Sequence, residues 1–425
     1  MLKALAGLLV SFIALNLQAA PVRTVVAFPF ENKSERTDVA WLSESFADTL
    51  AERLAGEGRV VLDRAERDAS CAQAGLPTGA AMSLASALKV AQSLGADWVV
   101  TGSFSLEGDI LTSHAYLLDV DRLKLSGPLE VNGPLNDLAE IETRLAWRIL
   151  ALQDPQFTVG TEEDFGKEFP LLRLDAHENY IRGILSPDPE TRLKYLAEAY
   201  RRDPSHSRAA FELGRSYFEL KDCENSALWL GKLTPREAGS FEARFMNAVN
   251  DFFLGHDARA AQGFLDLSRA YPLPEVLNNL GFMQARQGRW KDATVNFDRA
   301  YQADVSDPVF SFNLGVCMWN EGKYEVALRY LRQAEEAAPD DAEIHRLLGE
   351  ASEKTGDIEG KKKQDEWLRS RGEQPEKGAS GILPTPRLKK HFDRRVYRAQ
   401  ILAGRVAGQW TQGEARGAGE SHDRP

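Results

Sequence analysis

The chain has 425 residues, 43% of them hydrophobic and 27% charged, with a formal net charge of −11. That length holds two or more units with sizeable cores, and an acidic surface disfavours nonspecific nucleic-acid binding. The charge is uneven. Residues 376–425 carry ten Lys or Arg against five Asp or Glu, so the acidic excess lies in the body before them. Cys71, Cys223 and Cys317 are far apart and odd in number, which suits buried thiols better than a disulfide framework or a metal site.

Lys3 precedes an apolar run from Ala4 to Leu17, and small residues follow at Ala19-Ala20. The run is short for a membrane span and reads as a secretory signal over residues 1–20. Leu17 or Gln18 stands where a small residue is preferred before cleavage, and Pro21 follows, so a retained amino-terminal anchor is the alternative. The expected location is the bacterial periplasm, with membrane attachment if the segment is kept.

Residues 21–152 alternate between strand and helix signals. Val22 to Phe28 predicts a strand closed by Pro29, and Asp38 is placed to cap a helix bearing Trp41, Leu42, Phe46, Leu50 and Leu54 on one side. Arg59 to Leu62 predicts a short strand and Met82 to Leu94 a helix. Trp98 to Gly102 opens a strand pair that continues through Ile110 to Val120, and a helix over 135–152 closes the unit. Val26-Ala27-Phe28-Pro29-Phe30-Glu31-Asn32, followed by Trp41-Leu42-Ser43-Glu44, resembles the opening of the TolB-like amino-terminal α/β domain. Leu94 to Phe104 and Tyr116 to Val120 are similar to the same family and to the related CsgG-like envelope proteins. The resemblance implies a non-catalytic interaction module, of a kind that precedes helical repeat arrays in envelope or signalling proteins.

Residues 153–170 read as a linker, with Glu162-Glu163-Asp164 as a solvated acidic cluster. Beyond it, Leu213-Gly214, Leu280-Gly281, Leu314-Gly315 and Leu348-Gly349 recur in register, the last three glycines 34 residues apart and Ala248 holding the slot between the first two. Seven residues after the slot come Gly255, Gly288, Gly322 and Gly356, where a first helix must stop. Twelve after come Ala260, Ala293 and Ala327, small enough for two helices to approach, and sixteen after come Leu230, Phe264, Phe297 and Leu331. Pro272 and Pro339 end second helices. This period predicts about six helix-turn-helix units over 171–370. The pattern resembles tetratricopeptide repeats. The expected fold class is therefore α+β, a mixed α/β domain followed by an all-α superhelical solenoid.

In that family the first helices of successive units line a groove that receives peptides or partner helices. The corresponding positions here nominate Phe211, Arg215, Phe218, Phe245, Phe252, Asn278, Phe282, Phe312, Trp319 and Arg346 as a partner-binding set. Its aromatic character suits an extended apolar peptide or an amphipathic helix. Asn278, Asn279 and Asn313 could hydrogen-bond a ligand backbone. The lysine-rich lining of the carboxylate-clamp subclass is missing.

No catalytic, metal or cofactor signature emerges: the seven histidines lack zinc spacing with one another, and no G-x-S-x-G elbow or CxxC pair occurs. Residues 371–425 turn to Gly, Pro and Arg and predict disorder. Their positive balance also suits docking onto an acidic partner, lipid headgroups or the protein's own body. The sum is an exported, non-enzymatic scaffold that binds a protein partner and no nucleic acid. It would touch membrane only through the basic tail or an uncleaved amino terminus, and would support an envelope assembly or transport process. The alternative is a regulatory subunit whose α/β domain binds a small ligand and relays that state through the repeats.

Overall fold

The computed structural model describes residues 22–56, 58–153, 160–234, 239–374 and 384–406. The expected signal segment 1–20 lies outside them. Strands β1 (Arg23–Ala27), β2 (Glu31–Asn32), β3 (Arg59–Val61), β4 (Trp98–Glu107), β5 (Ile110–Asp119) and β6 (Lys124–Pro134) form one sheet of order β3-β1-β4-β5-β6, with β2 pairing to β4. The β1, β2 and β3 pairings are parallel, whereas β4, β5 and β6 form an antiparallel meander. Helices α1 (Leu42–Leu54) and α4 (Leu138–Gln153) cover one face, and α2 (Arg64–Gln73) and α3 (Leu84–Leu94) belong to the other, beside Val26, Phe28 and Val99.

Besides the two-residue β2, two elements here escape the sequence reading. Helix α2 is announced only by a capping box, in which Asp63 accepts from the Glu66 N–H and Glu66 accepts from the Asp63 N–H. Strand β6 lacks an alternating pattern because Gly127-Pro128 and Gly133-Pro134 interrupt it, and it pairs with β5 across a register shift at Ala115/Leu117. Asp38 does not cap α1. Its carboxylate is engaged by Arg36 at 2.6 Å, and the helix starts after Trp41 with no side-chain cap.

The stretch read as a linker is partly built. Thr161 and Asp164 form a capping box for the short helix α5 (Glu162–Gly166), Phe165 is buried, and Glu162 meets Arg144 at 2.5 Å and Arg148 at 3.5 Å. Of the acidic cluster, Glu162 therefore docks onto α4, while Glu163 and Asp164 are solvent-exposed, as expected, and pair with Lys167.

Six antiparallel helix pairs follow: α6 (Leu174–Leu185) with α7 (Pro189–Arg202), α8 (Ser207–Glu219) with α9 (Cys223–Leu230), and α10 (Ser240–Phe253) with α11 (Asp257–Ala270). Then come α12 (Pro274–Arg286) with α13 (Trp290–Ala303), α14 (Pro308–Asn320) with α15 (Tyr324–Ala337), and α16 (Ala342–Thr355) with α17 (Ile358–Ser370). Gly255, Gly288, Gly322 and Gly356 have φ of 77°, 74°, 73° and 77°, the left-handed turn that ends the first helix in each of the last four pairs. The slot glycines serve close approach. A Cβ on Gly214 would lie 2.5 Å from Leu230 Cγ, and one on Gly315 would lie 2.7 Å from Leu331. Where Ala248 fills the slot, the facing helix supplies Gly263, whose added Cβ would stand 3.0 Å from that of Ala248.

The two units share a core. Leu50, Leu54 and Ile149 of the α/β domain pack in one cluster with Tyr180, Ile181, Leu196 and Leu213 of the first two helix pairs. Arg208 on α8 ion-pairs with Asp48, meets Glu52 at 3.0 Å and donates to the Tyr180 hydroxyl at 2.9 Å. The first pairs of the solenoid are thus mounted on the α/β domain, and the groove is carried by the later ones.

Candidate peptide-binding groove

The groove contains a ligand, and the ligand is the chain's own tail. The expectation of disorder for residues 371–425 is corrected over 384–406, where an extended stretch leads into α18 (Arg394–Val406). Composition predicted disorder because this segment has little apolar surface to bury against itself. The solenoid supplies the missing surface. The tail runs backward along the array, from the first helix of the last pair toward the α/β domain.

Three asparagines hold its main chain. Asn313 accepts from the Arg387 N–H at 2.6 Å and donates to the Arg387 carbonyl at 2.8 Å, and Asn278 donates to the same carbonyl at 3.0 Å. Asn279 accepts from the Lys389 N–H at 2.8 Å and donates to its carbonyl at 2.8 Å. Residues 387 and 389 are alternate positions of an extended chain, so two amide clamps read one edge of its backbone. All three asparagines are buried, which makes their satisfaction by a peptide main chain energetically important.

Side chains of the tail occupy distinct places. The Arg387 guanidinium lies over the Phe312 ring at 3.9 Å and pairs with Asp341 at 2.7 Å and Glu343 at 2.7 Å. Lys389 pairs with Asp307 at 2.5 Å. Phe392 is 6% exposed, with its ring 5.5 Å from Phe245 and 5.8 Å from Phe241, and such burial contributes about 2 kcal/mol. Arg394 grips Glu242 at 2.6 Å and Asp63 at 2.8 Å, Tyr397 stacks on Phe241 at 4.8 Å, and Arg398 ion-pairs with Glu66.

The acidic residues facing the tail do two jobs. Asp307 and Asp341 are N-caps of α14 and α16, accepting backbone N–H groups while pairing with Lys389 and Arg387. Burial opposes ionisation of Asp341, but the Arg387 hydrogen bonds and charge and the Ile344 and Glu343 N–H groups outweigh it, holding this carboxyl below the ordinary range. Glu275 accepts from the Asp393 N–H at 3.0 Å, and burial pushes its carboxyl up to about 7.

The expected groove residues divide accordingly. Phe245 and Phe312 meet the tail, as does Asn278. Phe211 packs with Leu230, Ala243 and Met246, and its ring lies 3.0 Å from where a Cβ on Gly239 would stand. Phe218 is part of the same packing, and Arg215 pairs with Glu212 at 2.5 Å. Phe252 and Phe282 meet edge to face at 5.0 Å across neighbouring first helices, with Phe282 buried. Trp319 packs on Tyr324 at 4.9 Å, and Arg346 reaches Glu373 at 3.2 Å. The acidic residues Asp307, Asp341, Glu343, Glu242, Asp63 and Glu66 were absent from the expected set. Asp63, Asp307 and Asp341 showed in the sequence only as candidate N-caps, and Glu66, Glu242 and Glu343 only as acidic residues of first turns.

A second buried cluster joins the two units. The Ser45 hydroxyl donates to Glu142 at 2.6 Å and lies 2.9 Å from His177 Nε2, whose other ring nitrogen is 3.5 Å from His206. Burial lifts the Glu142 carboxyl to about 7 and lowers His206 to about 4. All four side chains are buried. Among the described residues no group of three or more His, Cys, Asp or Glu is placed to hold a metal ion, and no helix is long and apolar enough to cross a membrane. Cys71 and Cys317 are buried free thiols, as expected; Cys223 is partly exposed.

Comparison with protein families matches two tetratricopeptide-repeat models, over residues 193–240 and 284–358, which lie within the solenoid and take in α8, α9 and α13 to α16. These are tetratricopeptide repeats. Such repeats are typically non-catalytic protein-interaction modules. Neither model reaches the α/β domain. Among solved structures, the chain is similar to Pseudomonas aeruginosa pilF, with 16% identity, coverage of 43% of this chain and 84% of that one, and a TM-score of 0.39. It is similar also to YrrB, a TPR protein described as having an unusual peptide-binding site (16% identity, 42% and 92% coverage, TM-score 0.36), and to MamA (15%, 35% and 88%, 0.33). A comparison with curated proteins finds no match.

Proposed function

We propose that this protein is an exported scaffold that captures an extended segment of a partner protein in the groove of its tetratricopeptide array and so supports an assembly or transport process of the bacterial envelope. One observation carries the capture: buried Asn278, Asn279 and Asn313 hold the main chain at 387 and 389 through both N–H and C=O groups. Amides placed to clamp a backbone in a solvent-accessible groove are a peptide-recognition device, and pockets for alternate side chains add specificity. Export is supported by Lys3 and the apolar run Ala4 to Leu17, and the α/β domain by its TolB-like segments Val26 to Asn32 and Leu94 to Phe104.

In-cell crosslinking of fractionated cells tests both parts, comparing wild type with a folded Asn279→Ala, Asn313→Ala chain. The reading expects an envelope protein crosslinked to wild type and lost from the variant, with the mature chain beginning after residue 20 or held at the membrane. An unchanged set of crosslinked proteins defeats the groove, and cytosolic recovery with Met1 intact defeats export.

A second reading has its own observation. A concave cavity of about 1590 Å³ lies between the α/β domain and the early repeats, lined by Glu44, Asp48, Asp63, Arg67, Arg208 and Arg215 among others. Its mixed charge suits a polar ligand, which would make the protein a regulatory subunit. A ligand that raises the melting temperature of the full chain, and loses that effect in Arg215→Ala, would favour it.

A further inference from the structure

Resting on the reading of the groove as a peptide site, we infer that its ligand is a basic extended segment with the residue spacing of the tail, and that residues 386–398 keep the site closed until such a ligand displaces them. The spacing is a cation at 387, a second at 389, an aromatic ring at 392 and an arginine at 394.

The chemistry of each place fixes the class. The place for 387 is a ring face, Phe312, flanked by the carboxylates of Asp341 and Glu343; a planar guanidinium satisfies both at once. The place for 389 offers the single carboxylate of Asp307, enough for an ammonium. The place for 392 is walled by Phe241 and Phe245 and accepts an aromatic ring. The place for 394 again presents two carboxylates, Glu242 and Asp63, to one guanidinium. An acidic peptide would set like charges against these partly exposed carboxylates, and a wholly apolar one would leave them without cations, so the places select against both. The backbone clamps at Asn279 and Asn313 are indifferent to side chains, so selectivity resides in those four places.

The closure follows from connectivity. Thirteen residues, 371–383, separate the end of the repeat array at Ser370 from Pro384. A short tether presents its end at an effective concentration of about millimolar, so a free peptide of the same sequence competes at a disadvantage. The far end of the segment leaves the array altogether: Arg394 reaches Asp63 and Arg398 reaches Glu66, both at the start of α2 in the α/β domain. Capture of a ligand would therefore remove a strap between the last repeats and the α/β domain, a change that domain can register.

The test uses the full chain and a fluorescent peptide of residues 384–401. A released chain carries Arg387→Glu, Phe392→Ser and Arg394→Glu, with folding confirmed by circular dichroism. The released chain should bind the peptide at least tenfold more tightly than wild type, and adding Asn279→Ala and Asn313→Ala to it should undo that gain. A peptide of the same composition with its Arg, Lys and Phe spacing shuffled should bind at least tenfold more weakly. Equal binding by wild type and released chains overturns the closure, as does a wild-type dimer in sedimentation that dissociates in the released chain, since the tail would then be exchanged between copies. Equal binding of the shuffled peptide, or none by the released chain, overturns the ligand class. If that occurs while in-cell capture still depends on Asn279 and Asn313, the groove stands and only its ligand differs; if capture is indifferent to them, the groove reading falls too.

Discussion

The two ends of the first helices carry the same residue types and use them differently. Toward their amino-terminal ends, Phe241, Phe245 and Phe312 face the tail and turn their rings to Phe392, Tyr397 and Arg387. Toward the carboxy-terminal ends, Phe252, Phe282 and Trp319 meet other residues of the array. A phenylalanine on a concave face is therefore no evidence of a ligand until its neighbours are known. What separates the two ends is what the polar groups bond: at the first, Asn279, Asn313 and the N-cap Asp341 hold the tail, whereas at the second buried Asn250 donates to Ser226 of the array.

This contrast can be broken by substitution. Phe282→Ala should cost about 3 kcal/mol in urea unfolding while leaving the tail as resistant to trypsin as in wild type. Exposure of the tail by that change would merge the two ends into one site.

The junction between the units should respond to pH. Burial, opposed by the Ser45 hydrogen bond and the Arg53 charge, raises Glu142 to about 7, so the folded state holds a proton that the unfolded state has released. Its contribution is fully present below about 4.5 and is lost as pH rises through 7. The neighbouring His177 and His206 work in the opposite sense: burial depresses their folded values, so their contribution is lost as pH falls below about 6.5. Comparing Glu142→Gln with wild type isolates the carboxyl, and the variant should gain about 2 kcal/mol relative to wild type between pH 5 and 8. A constant difference would mean that Glu142 ionises normally.

At the tail-facing end, Phe392→Ser should speed trypsin cleavage at Arg387 to Arg398 about tenfold, equivalent to about 1.4 kcal/mol of docking, with little change in unfolding of the repeats. The smallest effect expected is that of salt. Raising ionic strength from about 0.05 to 0.5 M should speed the same cleavage only a few-fold, because the ion pairs are partly buried and the ring and amide contacts persist. Loss of all protection in salt would make docking purely electrostatic.

Repeat architecture was legible because each helix pair must meet the same local demands. The slot glycine, the turn glycine seven later and the large residue sixteen later are fixed by one helix touching the next. In the α/β domain the regular strands were equally readable, whereas β6 was hidden by its two Gly-Pro steps and α2 by a composition that shows little apolar periodicity. Of the groove, the sequence marked the asparagines and the aromatic rows. It could not sort rings that meet the tail from rings that meet each other, since both lie at the same helical spacing.

By itself, then, the sequence determined that an α/β unit precedes about six helical hairpins, because strand alternation and a 34-residue period are written in neighbouring residues. It also determined that a basic tail follows an acidic body. Only the tertiary structure decided where that tail goes. Arg387 finds Asn313 and Asp341 across 74 and 46 positions of sequence, and Arg394 finds Asp63 across 331. Contacts of that range depend on the superhelix bringing its first-helix termini into one row beside the α/β domain, a geometry no local pattern encodes.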